Sequence, residues 1–171
     1  MSQNIVNPYR FVTEPSCNAE HTSAEGTLGI GSSIVRGALL TLGDWSCIGA
    51  NAESFIVKLS YRTTGGGGPL SAGNVIYCRI YNSANVLQTT LGSITGDNIT
   101  STPTEYTFDS PDSTHAMQGN DHISIDMATT GNDNRLNIDV TDSAVDNLKY
   151  EWYTTSWFNT TGSLYYKFNT D

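Results

Sequence analysis

Charge is scarce in this chain, and positive charge scarcer still. Only 15% of the 171 residues are Asp, Glu, Lys or Arg, with 17 acidic side chains against 8 basic ones and a net charge of −9. Phosphate backbones and anionic membrane surfaces demand clustered Lys and Arg, so neither nucleic acid nor a membrane surface is expected as a partner. Long apolar runs are also absent. Nothing approaches the roughly 18 residues of a membrane span, so no membrane insertion is expected. "MSQNIVNPYRFV" has neither a basic leader nor an apolar core, so no secretory signal is expected in the chain as given. The three histidines, His21, His115 and His122, stand apart, and no Cys/His spacing suits zinc. "GGGG" at 65–68 runs into Pro69 with no Lys-Ser/Thr after it, which excludes a phosphate-binding loop.

What fills the chain is Ser, Thr and Asn, 55 residues together, with 16 glycines. That composition suits short strands and many turns rather than long helices. "FIVKLSYR" (55–62) alternates Phe55, Val57, Leu59 and Tyr61 against Ile56, Lys58, Ser60 and Arg62. "NVIYCRIYN" (74–82) sets Ile76, Cys78 and Ile80 inward and Tyr77, Arg79 and Tyr81 outward. Further strands are expected within 5–12, 33–42, 85–94, 104–109, 122–127, 135–140, 149–153 and 163–169. A turn or two of helix fits only 142–149. Turns are expected at 63–73, 95–98, 119–121 and 130–134, where Gly, Asn and Asp tolerate positive φ. About ten short strands at this spacing predict an all-β, antiparallel β-sandwich. The expected organisation is an N-terminal strand or arm (1–26) and a single sandwich domain (27–171).

"GNDHISIDM" (119–127) brings His122, Ser124 and Asp126 within five positions, the residue types of a nucleophilic triad. Alternation strings them along one strand face, about 6.6–6.8 Å apart. A triad instead needs hydrogen-bond contact around a nucleophile in a cleft. The expectation is a solvated strand face, and no catalytic residue is assigned. Asp133, Asp139 and Asp142 offer the hard oxygen ligands calcium takes, without the spacing of an EF-hand loop. Calcium is the one cofactor this composition suggests, and no metal ligand is assigned. Cys17 and Cys47 lie in turn-like sequence and could pair in an oxidising setting, whereas Cys78 reads as a buried free thiol. "NIT" (98–100) and "NTT" (159–161) are glycan acceptor sequences.

Eight of the 17 aromatic residues fall in the last 22 positions. Leu164, Tyr166 and Phe168 share one parity. The remainder, Tyr153, Trp157 and Tyr165, are the candidate ligand-binding aromatics, able to stack on sugar rings or bury against another subunit.

The succession "FIVKLSYR…GNVIYCRIYNSANVL", "PTEYTFD", "GNDHISIDM", "RLNIDV" and "TTSWFNTTGSLYYKF" resembles a broad class of carbohydrate-binding-like jelly-roll modules over residues 30–169. The resemblance implies a jelly-roll topology, and a role either in glycan binding or in virion and tail structure. The opening "NIVNPYRFV" is similar to single-module structural proteins of viruses. Two functions are therefore expected. The first is a non-enzymatic structural subunit of a capsid, tail or extracellular filament. It would self-assemble through an arm carrying Ile5, Val6, Tyr9, Phe11 and Val12, joined to the core by a connector (13–26). The second is a glycan-binding module using Tyr153, Trp157 and Tyr165. Either places the protein in a virion, outside the cell or at its surface.

Overall fold

A computed structural model describes residues 18–22, 26–30, 34–39, 47–63, 68–110, 114–128, 136–141, 149–153, 156–160 and 163–170. They form thirteen strands: β1 (Asn18–His21), β2 (Gly26–Ile30), β3 (Ile34–Leu39), β4 (Ala52–Tyr61), β5 (Val75–Tyr81), β6 (Leu87–Thr95), β7 (Thr104–Asp109), β8 (His122–Ala128), β9 (Leu136–Thr141), β10 (Lys149–Tyr153), β11 (Ser156–Thr160), β12 (Ser163–Leu164) and β13 (Tyr166–Thr170). Among the described residues the only helical piece is a single 3-10 turn, Gly96–Asn98. None of them forms a helix long and apolar enough to cross a membrane.

The strands build two antiparallel sheets packed face to face, an all-β sandwich as expected. The first sheet runs β1-β13-β4-β9-β12, with β2 also on β9 and β7 also on β4. The second runs β11-β10-β3-β8-β5-β6.

Alternation explains the core. In β4, Phe55, Val57 and Leu59 are fully buried, and in β5 Ile76, Cys78 and Ile80 are, as their parity predicts. Phe55 stacks on Tyr166 (centroids 5.5 Å apart, planes 16° apart) and meets Phe168 at 6.2 Å. Ile123, Ile125 and Met127 of β8 close the core from the second sheet.

Turn chemistry sets the connections. Asn82 Oδ1 accepts the backbone N–H groups of Ala84 and Val86, both at 2.9 Å, and Asn85 takes a positive φ of 62°. That Asx-type loop turns β5 into β6. Asn120, in the expected 119–121 turn, has φ 68°. At Gly92 a Cβ would lie 3.2 Å from the backbone nitrogen of Asp109, so β6 approaches β7 through a residue without a side chain.

Three features depart from expectation. The connector expected at 13–26 contains β1, which pairs with β13 from Asn18↔Asn169 to His21↔Tyr166. β2 and β11 were not expected as separate strands; each is held by a ladder partner, β9 and β10 respectively. The single strand expected at 163–169 is broken at Tyr165, where the chain leaves β9 and joins β4. The arm residues Ile5, Val6, Tyr9, Phe11 and Val12 and the 142–148 part of the helical segment lie outside the described residues; Lys149 begins β10.

Candidate functional site

β8 lies inside the second sheet, between β3 and β5. Its polar side is not the solvated face expected from alternation: His122 is 5% exposed, Ser124 0% and Asp126 7%. The reason is lateral. The ladder sets Tyr81, Arg79 and Tyr77 of β5 opposite His122, Ser124 and Asp126. Long side chains on a neighbouring strand shelter a central strand more than an edge position would allow.

Arg79 organises the cluster. Its Nη1 donates to both Asp126 oxygens, at 3.0 and 2.9 Å. Its guanidinium lies 4.2 Å from the centroid of the Tyr77 ring, a cation–π contact. Burial raises the Asp126 carboxyl above its ordinary value, and Arg79 opposes that rise. Burial likewise raises the Tyr81 hydroxyl and lowers the His122 imidazole below its ordinary value. Ser124 Oγ donates to the Arg79 carbonyl at 3.3 Å and is enclosed. That commitment and enclosure are those of a structural hydroxyl, not of a nucleophile poised beside a base.

Register extends the cluster across the sheet. Thr90 pairs with Arg79, Arg79 with Ser124, Ser124 with Gly37, Gly37 with Tyr150 and Tyr150 with Asn159. One cross-strand row thus runs through all six strands, gathering positions far apart in sequence. Sequence reasoning missed the Arg79–Asp126 pair. The shared outward parity of Tyr77, Arg79 and Tyr81 was visible, but the register that sets them against β8 was not.

The three candidate ligand aromatics do not converge. Tyr153 stands opposite Ser156 and Ile34, while Trp157 stands opposite Trp152, so the ladder gives Tyr153 and Trp157 positions of opposite parity. Tyr165 belongs to the other sheet and is not an open stacking platform. It is 6% exposed, its hydroxyl hydrogen-bonds Glu105, and Lys58 Nζ sits 5.1 Å from its ring centroid. Tyr165 is held there by the break in the final strand, where its N–H donates to the Asp139 carbonyl at 2.9 Å. Lys167 Nζ also donates to Glu105, at 2.7 Å. These hydrogen bonds, Lys167 first and Tyr165 second, pull the Glu105 carboxyl below its ordinary value.

Of the calcium candidates, Asp133 and Asp142 lie outside the described residues. Asp139 is buried, with Oδ1 unpartnered, and burial raises its carboxyl. Among the described residues no three His, Cys, Asp or Glu side chains gather as a metal site. His115 Nε2 meets Asp121 Oδ2 at 2.9 Å, and the same oxygen accepts the Gln118 N–H. That pair staples the 114–121 loop, which carries Met117 into the core. Cys47 is disulfide-bonded, whereas Cys78 is free, buried and pushed well up by that burial. Cys17 lies outside the described residues.

No family, curated protein or solved structure matches this chain.

Proposed function

We propose that this protein is a non-enzymatic structural subunit that assembles with copies of itself through a sheet edge, in a virion, a tail or an extracellular filament. The observation that carries this reading is the character of β6. Among the described residues it is the terminal strand of the second sheet, and from Ile80 to Gly96 no residue carries a charge. Edge strands that must stay solitary are usually blunted by Lys, Pro or inward charge. β6 instead begins beside the most exposed large apolar residues among those described, Val86 (55%) and Leu87 (47%). Two chains of net charge −9 repel except where they meet through an uncharged surface. The apolar composition of segment 5–12, with Ile5, Val6, Tyr9, Phe11 and Val12, suits a second contact of this kind. The Cys47 disulfide fits an oxidising location.

The test is electron microscopy of the purified protein with light scattering over a range of concentrations, repeated for Leu87→Lys and for a chain lacking residues 1–12. Regular shells, tubes or filaments are expected from the intact chain, and their loss from either variant while the strand signal in circular dichroism persists. A monomer at every concentration would refute self-assembly. Assembly unaffected by Leu87→Lys would refute the β6 edge.

A further inference from the structure

The first sheet gathers four reactive side chains on its outer face, at the point where its strands fork. We propose that Lys58 and Asp139 join there in an intramolecular amide cross-link between β4 and β9, with Glu105 as the proton carrier.

Register brings these groups together. β4 and β9 pair as far as Leu59↔Ile138, and the next step of that register sets Lys58 against Asp139. On its other side Lys58 pairs with Glu105 of β7. Glu105, Lys58 and Asp139 therefore lie in one cross-strand row, with the lysine in the middle. Alternation turns Lys58 and Asp139 outward, because their neighbours Val57, Leu59, Ile138 and Val140 are buried in the core. Tyr165 sits in the fork. Its N–H donates to the Asp139 carbonyl at 2.9 Å, its hydroxyl hydrogen-bonds Glu105, and its ring centroid lies 5.1 Å from Lys58 Nζ. One residue thus contacts all three members of the row.

The state of Asp139 supplies the reason for reaction. It is 5% exposed, and among the described residues its Oδ1 has no hydrogen-bond partner. A desolvated carboxylate short of donors is costly, whereas a secondary amide is neutral. Burial raises the Asp139 carboxyl, which favours the carboxylic acid that an amine attacks, and Lys58 is the charge that opposes the rise.

The reaction needs no added reagent. The Lys58 ammonium passes a proton to the Glu105 carboxylate, and the freed amine attacks Cγ of Asp139 in its acid form. The Nζ–Cγ bond forms, the bond from Cγ to the hydroxyl oxygen breaks, and water leaves. Of the two protons that Nζ gives up, one departs in that water and the other passes to solvent, both through Glu105. Oriented groups within one molecule reach effective molarities of about 10⁵–10⁸ M, which favours closure in water. The cross-link does not depend on assembly, since a monomer would carry it equally.

The experiment is mass spectrometry of the intact protein, reduced and denatured, sampled fresh and after days at neutral pH. The parent is expected to be lighter than its sequence by one water, with a branched tryptic peptide joining Lys58 to Asp139. Lys58→Arg and Asp139→Ala, shown to be folded by circular dichroism, should keep their full mass. Glu105→Gln retains a hydrogen-bonding side chain beside Tyr165 and Lys167 but carries no proton, and should slow closure by about tenfold or more. A parent that keeps its full mass throughout would overturn the proposal, as would a water loss that persists in Lys58→Arg. Closure of Glu105→Gln at the parental rate would overturn the part assigned to Glu105.

Discussion

Replacing Arg79 with methionine keeps much of the side chain's length and apolar stem while stranding the Asp126 carboxylate. Asp126 is 7% exposed and takes both Arg79 hydrogen bonds through one nitrogen. Removing one partner of a buried pair typically costs about 3–5 kcal/mol. Because the Arg79 side chain is 29% exposed, the lower end applies, about 3 kcal/mol. For a domain of this size that is a fall of about 6–12 °C in Tm. The double replacement Arg79→Met/Asp126→Leu removes both charges and should recover most of the loss, giving a coupling energy above about 1 kcal/mol. The pH dependence has a definite sign. Burial raises the folded-state pKa of Asp126 above its ordinary 3.8, so between those values the folded chain binds more protons than the unfolded one. Stability from this group therefore rises as pH falls. Without Arg79 the window widens, so the deficit of Arg79→Met should shrink from about pH 7 to about pH 4. Thermal melts of the parent, the two single variants and the double variant at both pH values measure every quantity. A coupling energy under about 0.5 kcal/mol, or a deficit unchanged with pH, would refute the account of this pair.

Two further outcomes follow from packing and covalent structure. A Cβ at Gly96 would lie 2.6 Å from Leu70 Cβ and 2.7 and 2.9 Å from the backbone oxygens of Ser71 and Asn74, which cannot easily yield. Gly96→Ala should cost about 1–3 kcal/mol in denaturant unfolding, while Gly68→Ala, with nothing within 4 Å, should be close to neutral. Alkylating the unreduced, denatured chain should label Cys78 and leave Cys47 unlabelled, and reduction should lower stability by about 2–4 kcal/mol, read as a drop in Tm.

The residues that sequence reading placed well are those whose alternation is chemically unambiguous. Ile76, Cys78 and Ile80 against Tyr77, Arg79 and Tyr81 leave one assignment, and Phe55, Val57 and Leu59 are equally clear. β8 shows the limit. Its parity was right, but which polar faces meet water depends on whether a strand is central, and strand order is not written in any one segment. β1 failed for another reason. "NAEH" has little intrinsic strand character and is held by its ladder with β13, so only its partner reveals it. Tyr165 reads as one more alternating aromatic, and only the handover from β9 to β4 shows it covered beside Glu105 and Lys58. The Arg79–Asp126 pair, 47 residues apart, needed both register and order.

The pairing of β1 with β13 has a mechanical consequence. Asn18 stands beside Asn169, so the chain entering β1 and the chain leaving β13 depart from the same corner of the sandwich. Tension applied between those two ends would open the ladder one rung at a time, a peeling geometry that resists far less than sliding strands lengthwise. A fibre made of such subunits would have to carry load through their flanks. The same adjacency makes this corner the natural place to join the ends and cut the chain elsewhere, leaving the sandwich intact.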